Sequence, residues 1–484
     1  MKENKTREKS MTKDMTRGNL VRILVFFSVP LILSGVLQQL YSWADAFILG
    51  NMVGEKALAA TGATNAVINL FVMGITGFAS GISILSARYF GMGDHRIQKR
   101  ILFSFSLVLG TICLFLSISS IVFIKEILTL LRTPGDIASM SASYLRIILC
   151  GIPFIAVFNV YSAVLRGIGD SKAPFYAVLV SSLANVLLDI LFVGCLRFGV
   201  KGAATATIIS QILMTLFIIS YAVRKHEILH LFSGESLLSG DNLESDMKSG
   251  EALNGTGKRY PGKLKADSGI LKEGASLSLP ITIQSVVTSL GSLILQNFMN
   301  GFGTTTVAAI TTAYRVDCII LLPIINLGTG IATVTSQNLG AGKYDRVRKC
   351  LRTGAVLTAA VSLALSFLVV FAGKYLIMIF GVSQEAVQIG GDFFKAIGRF
   401  YVVFGVTMAV RGYLEGNGRV LFSGIIAILG LGIRISLSYL LLPWFDNMVI
   451  AYAEVFAWCF QMIVYVFYAV FVQNRRMEAE RIKG

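Results

Sequence analysis

Charge is what this sequence is short of. Aspartate, glutamate, lysine and arginine make up 14% of its 484 residues, against about 25% in a soluble globular domain. With 55% hydrophobic residues and a mean hydropathy of +0.71, there is too little polar surface to face water, and a soluble fold is excluded. Histidine is scarcer still, at three residues. His226 and His230 have the i,i+4 spacing of a helical metal pair, but no third ligand lies near them, so a solvated linker is the plainer reading. The six cysteines (Cys113, Cys150, Cys195, Cys318, Cys350, Cys459) are scattered without a CxxC pair, which removes a disulfide or metal framework. The apolar runs contain no histidine cluster, no paired acid and base, no nucleophile constellation and no filter-like loop. Neither an enzyme nor a channel is expected, and no cofactor. Proline is also scarce, with eight residues against 47 glycines. Many of those glycines sit inside apolar runs, where they suit close helix packing in lipid.

What is present is a series of long apolar runs. Those at 101–124, 175–196 and 449–472 can each cross about 30 Å of hydrocarbon as a helix. Apolar runs between polar breaks predict twelve spans. The first six lie at 23–49, 57–86, 101–124, 140–165, 174–196 and 202–223. The second six lie at 271–300, 307–337, 351–372, 390–414, 420–442 and 448–472. The net charge of +16 does not require a nucleic-acid partner, because the basic residues cluster in alternate loops. The arm 1–22, the loops 88–100 and 343–352 and the tail 475–483 are basic, whereas 50–56 and 301–306 carry little positive charge. The positive-inside rule then puts both termini in the cytosol of a multi-pass protein of the plasma membrane. No cleavable signal peptide is expected.

The chain also repeats itself at an offset of 249 residues. Gly54, Ala59 and Ala60 fall on Gly303, Ala308 and Ala309. Gly81, Gly91 and Gly93 fall on Gly330, Gly340 and Gly342, and Leu165, Gly167 and Gly169 fall on Leu414, Gly416 and Gly418. The expected fold is therefore an all-α polytopic membrane protein, with twelve helices in two six-helix lobes. Six spans per repeat make the repeats parallel, the pattern of a two-lobed transporter with its substrate path between the lobes. The expected organisation is an arm at 1–22, a first lobe at 23–223, a cytoplasmic linker at 224–270, a second lobe at 271–472 and a tail at 473–484. The linker is rich in serine, glycine and charge. In a cytosolic loop the sequon Asn254-Gly255-Thr256 is accidental.

A charge in mid-membrane costs about 2.5–3.5 kcal/mol, so each one needs a reason. Asp45 lies in the first span on one helical face with Gln38 and Tyr41, above Pro30, which is expected to bend that helix. Asn185 and Asp189 lie one turn apart in the fifth span. The repeat gives Asp45, Asn185 and Asp189 the partners Ile294, Arg434 and Ser438, so the acidic set belongs to the first half alone. Two carboxylates sharing a dry site cannot both stay ionised cheaply, and such a pair is suited to taking up a proton or a small cation. A hydrated interfacial position for Asp45, and simple helix bonding by Asn185 and Asp189, are the plainer alternatives. In the second half, Arg434 and Glu454 flank one outer turn and are expected to form a structural ion pair. Asp317 has no evident partner, and its i,i+2 spacing from Arg315 keeps the two off a common face. Gln38, Tyr41, Gln284, Tyr314 and Asp317 are candidates for the substrate cavity, and the tyrosines can offer ring faces to an organic cation.

The residues Pro30, Asp45 and Gly50 (P-x14-D-x4-G), Asn185 and Asp189 (N-x3-D), and the stretch AYRVDCIILLP followed by QNLGAGKYDR resemble the multidrug and toxic compound extrusion (MATE) family over 20–472. The resemblance implies two six-helix bundles around a V-shaped cleft that opens alternately to either side. It implies efflux of small amphipathic, often cationic, compounds coupled to inward H⁺ or Na⁺, with the lipid bilayer as the other partner. By position Asp45 matches the family's first-span coupling aspartate, and Asn185 and Asp189 match its fifth-span ion-binding residues. No dedicated metal is expected beyond Na⁺ at these three. The acidic residues that some Na⁺-coupled members carry in spans seven and ten are missing. Span seven offers only Gln284, Gln296, Asn297 and Asn300, and Asp392 stands at the very start of span ten, leaving Asp317 as a substitute. The expected activity is antiport by a monomer. The alternative is a flippase for a lipid-linked saccharide, an idea kept open by Arg315 and Arg434 and disfavoured by the acidic first half.

Overall fold

The computed structural model describes residues 14–226, 229 and 266–483. His230, most of the linker and the distal part of the arm lie outside them. Among the described residues the chain is helical, with no strand. Ten helices are long and apolar enough to cross a membrane, and two bent pairs bring the number to 12. This is a multi-pass membrane protein.

The first lobe comprises spans at Leu20–Met52, Glu55–Gly91, His95–Val122, Gly135–Gly167, Lys172–Cys195 and Gly199–Lys225. The helices run past the apolar windows: the second span continues through Arg88 to Gly91, because backbone hydrogen bonding does not stop where hydropathy falls. Pro30 is accommodated inside one continuous first helix. The second lobe begins with Ser268–Phe302 and Tyr344–Met378 as its seventh and ninth spans, and ends with Val420–Leu440 and Leu442–Phe471. Spans eight and ten depart from the expected straight helices. The eighth is Thr304–Ile320 followed by Leu322–Gly340, bent by 41°, and the tenth is Gln384–Gly398 followed by Tyr401–Gly416, bent by 51°. Pro323 explains the first break, since it lacks the N–H that would continue the ladder and sits in the first turn of the resumed helix. At the second, the Phe400 N–H turns back to Ile397 O in a tightened turn.

Small residues join the lobes at the end that carries the basic loops. Gly74, Gly77 and Gly81 form one face of the second span, and the seventh span lies directly on it. A Cβ added at Gly81 would sit 2.4 Å from Ser278 Cα. The repeat-related glycines Gly91 and Gly340 make reciprocal contacts. A Cβ at Gly91 would lie 2.0 Å from the Gln337 carbonyl oxygen, and one at Gly340 would lie 2.0 Å from that of Arg88. Around this seam the Tyr89 hydroxyl donates to Glu273 (2.6 Å) and Arg100 pairs with Asp267 (3.5 Å).

The end of the arm closes the same seam as a strap. Met15 is 1% exposed and packs with first-span Leu24 and Phe27 among second-lobe residues such as Ile331 and Tyr413. Its N–H donates to Gln337 Oε1 (3.1 Å), and Asn338 Nδ2 donates to its carbonyl (3.2 Å). Lys343 Nζ donates to the Thr16 carbonyl (2.9 Å), and Gln337 Nε2 reaches Gly167 O of the first lobe (2.7 Å).

Candidate coupling site and second-lobe polar cluster

Away from the seam, the first and fifth spans bring Asp45, Asn185 and Asp189 together. Asp189 is fully buried, Asn185 is 2% exposed and Asp45 is half-buried. The α-helix of the fifth span ends at Asp189 and continues as a π-helical turn, Ile190–Cys195. Such turns are rare and often mark functional positions. The Asp45 and Asp189 carboxyls lie within hydrogen-bonding reach of each other. Ionised carboxylates are acceptors only, so this contact becomes a hydrogen bond only when a proton lies between them. Asp45 Oδ1, both Asp189 oxygens and both Asn185 amide atoms are buried without any other hydrogen-bond partner. Buried polar atoms are nearly always bonded, so the unmet oxygens among them, those of Asp45, Asp189 and Asn185, suit an incoming proton or a hard monovalent cation. Tyr41 and Tyr144 complete the surroundings. Tyr144 escaped the sequence reading, although its repeat partner is Phe393, so the hydroxyl is a first-half feature like the aspartates. Gln38 is exposed on the same helix.

The second lobe holds a different cluster. Arg434 Nη2 donates to Glu454 Oε2 (2.8 Å) and to the Tyr314 hydroxyl (2.6 Å), and that hydroxyl donates to Glu454 Oε2 (2.9 Å). Asp317 does have a partner: the Tyr401 hydroxyl donates to its Oδ1. The sequence concealed this because Tyr401 lies just past the break in span ten, 84 residues on. Asp317 is 4% exposed, whereas Arg315, on the opposite face, is exposed and lines a 610 Å³ cavity with Asn300, Thr304 and Thr311. Gln284 is buried in a third cluster, where its Oε1 accepts from Arg411 Nη2 (2.7 Å) and Arg411 Nε donates to Glu415 (2.7 Å). Gln284 Oε1, the Tyr314 hydroxyl and Asp317 Oδ1 are thus engaged inside the second lobe. Among the described residues, no group of three or more His, Cys, Asp or Glu is placed to hold a metal ion.

Two helical lobes built on a sequence repeat, packed along a seam at the basic end and meeting through the Trp43 and Phe380 rings at the other, with buried ionisable groups in each, define a membrane transporter. A family model for MatE matches residues 30–191 and 280–440, segments offset by the length of the repeat. The chain belongs to the MatE family of multidrug efflux transporters. It is 27% identical over 445 residues to the probable multidrug resistance protein YoeA of Bacillus subtilis, covering 90% of each chain. It is 23% identical to the multidrug export protein MepA of Staphylococcus saprophyticus, covering 85% of each. The fold is similar to that of a MATE family transporter of the MOP superfamily in its outward-facing conformation. The TM-score is 0.82, with 21% identity over 97% of this chain and 99% of that one.

Proposed function

We propose that the protein is a monomeric secondary active antiporter of the plasma membrane. It exports small amphipathic, cationic organic compounds in exchange for H⁺ or Na⁺, with both termini in the cytosol. The Asp45 and Asp189 carboxyls, facing each other with no donor between them, are the observation that carries this reading. With the basic end cytoplasmic, the strap and the glycine seam close the inner side. A proton or Na⁺ entering from outside binds at Asp45, Asn185 and Asp189 and neutralises the carboxylates. The attraction for a cationic substrate is lost and the substrate leaves. The lobes rock, the ion passes to the cytosol, and the recharged site takes another substrate. Each charge moving inward gains about 2.3 kcal/mol per 100 mV.

The test is dye efflux in vesicles under separately imposed ΔpH and ΔNa⁺. Asp45→Asn should abolish coupled export while the protein still folds and inserts; retained gradient-dependent export by that variant would overturn the proposal. The second reading, a flippase for a lipid-linked saccharide, draws on Arg315 lining the second-lobe cavity. It predicts lipid exposure in the same vesicles without a response to either gradient.

A further inference from the structure

The first and fifth spans touch at the far end, through Asp45 and Asp189 and through Met52, whose Sδ lies 3.2 Å from the position of a Cβ added at Gly194. Towards the basic end they part. Between them lies a cavity of 650 Å³, walled on one side by the strap and the start of the first span and on the other by Gly169–Lys172 and Tyr221. It lies at the basic ends of the spans, and Phe26, 54% exposed, lines it towards the apolar part of the first span.

The lining is chemically divided. Arg22 and Lys172 are exposed, and among the described residues neither makes an ion pair with a carboxylate. The Arg22 guanidinium rests 5.6 Å over the Phe26 ring, so it stays at the apolar–polar boundary. Asp170 is already committed. Its Oδ2 meets His226 Nε2 at 2.9 Å, and its Oδ1 accepts the Lys172 and Ala173 N–H groups at 3.0 and 3.1 Å. The start of the fifth span is thereby capped from within, and an anion must be held by side chains. Asp14 is the more open carboxylate of the cavity: its side chain is 50% exposed, its Oδ1 accepts the Thr16 N–H at 2.8 Å, and its Oδ2 lies 3.5 Å from exposed Arg17. Burial pushes the Asp14 carboxyl up, but hydrogen bonds from Thr16 and the charges of Lys343 and Arg17 outweigh it and hold the group below its ordinary 3.8, so it is anionic at neutral pH.

We propose that this cavity binds the headgroup of a membrane phospholipid carrying a primary amine, with the phosphodiester between Arg22 and Lys172, the ammonium at Asp14, and the acyl chains leaving over Ile23 and Phe26. Two cations opposite one carboxylate, at the mouth of an apolar wall, match a phosphoethanolamine group. They match neither an anionic glycerol headgroup, which Asp14 repels, nor a trimethylated one, which cannot donate hydrogen bonds to it. Because the strap is bonded to the second lobe, such a lipid touches the gate as well as the first lobe. The inference takes from the proposed function only the placement of the basic end at the cytoplasmic surface.

The test uses the full-length protein, delipidated in detergent and titrated with phosphatidylethanolamine, phosphatidylcholine, phosphatidylglycerol or inorganic phosphate. Native mass spectrometry and thermal melting give the readouts. Phosphatidylethanolamine should be retained and raise the melting temperature, and binding should weaken about tenfold or more in Arg22→Gln/Lys172→Gln. Asp14→Asn should keep lipid binding but lose the preference over phosphatidylcholine. Asp45→Asn should bind lipid like the wild type, which separates this site from the transport mechanism. Equal or tighter binding of phosphatidylglycerol, equal protection by inorganic phosphate, or retention unchanged in the double variant would each overturn the proposal.

Discussion

The Tyr401 hydroxyl donates to Asp317, and in doing so ties together the two broken spans of the second lobe. Asp317 lies just before the break in span eight, where its carbonyl accepts the Leu321 N–H (2.9 Å), and Tyr401 is the first residue after the break in span ten. The repeat-related positions in the first lobe are Ile68 and Ile152, on helices that run unbroken. The polar pair thus occurs in the lobe whose helices bend. Tyr401→Phe leaves a buried carboxylate without its donor and should destabilise the protein by about 1–3 kcal/mol. Adding Asp317→Asn should cost less than the sum of the two single changes. Thermal melts of the double-mutant cycle in detergent check this, and strict additivity would show that the pair does not hold the breaks together.

The Asp45–Asp189 contact makes a direct prediction about protons. If a cationic substrate binds the deprotonated pair, adding dye to the purified protein should release protons, most strongly where the free pair still holds one. Asp189→Asn and Asp45→Asn should each abolish the release, and gradient-driven efflux should fall about tenfold or more, because one carboxylate alone cannot exchange proton for substrate in the same way. A pH-indicator titration in weak buffer reads the release. Undiminished release in either variant would place the exchange elsewhere.

The Arg434–Glu454 pair is mostly buried, with the side chains 22% and 11% exposed. Removing one partner strands a charge, so Arg434→Met or Glu454→Gln should each cost about 3 kcal/mol, while the double replacement should recover much of the loss. Loss of transport without loss of stability in Glu454→Gln would instead give this pair a part in the transport cycle.

Gly91 and Gly340 leave no room for a methyl group across the seam. Gly91→Ala and Gly340→Ala should each penalise the closed seam by about 1–3 kcal/mol and shift the population towards open by about tenfold. Distance measurements between spin labels placed on the two lobes at the basic end would show this, and unchanged distance distributions would count against it.

The strap should be insensitive to ordinary changes in pH. The Asp14 carboxyl, which accepts the Thr16 N–H at 2.8 Å, is held below its ordinary 3.8. Its contribution is therefore fully present above that value and lost only as pH falls below it. Hydrogen exchange at Met15 and Thr16, corrected for the intrinsic rate, should stay constant over about pH 5–8 and rise in Asp14→Asn.

Much of this could be read from the residues, because the membrane leaves few ways to satisfy a backbone. The apolar runs fixed the spans, and comparing the two repeats picked out Asp45, Asn185 and Asp189. The breaks in spans eight and ten left the hydropathy average apolar: Pro323 signalled the first, but the second shows only a lone Arg399 and a tightened turn at Phe400 that such an average cannot register. Tyr401, the partner of Asp317, was hidden with the second. Tyr144 was visible in principle, since its hydroxyl is one of the places where the repeats differ. A tyrosine opposite a phenylalanine, however, looks conservative by composition.

The strap places a condition on biosynthesis. Met15 is synthesised 322 residues ahead of its hydrogen-bonding partner Gln337. The first lobe can therefore assemble in the membrane while the strap still waits for its seat. The strap can seat only once the eighth span has been made, and a nascent chain that stalls before it leaves a first lobe with nothing to latch onto.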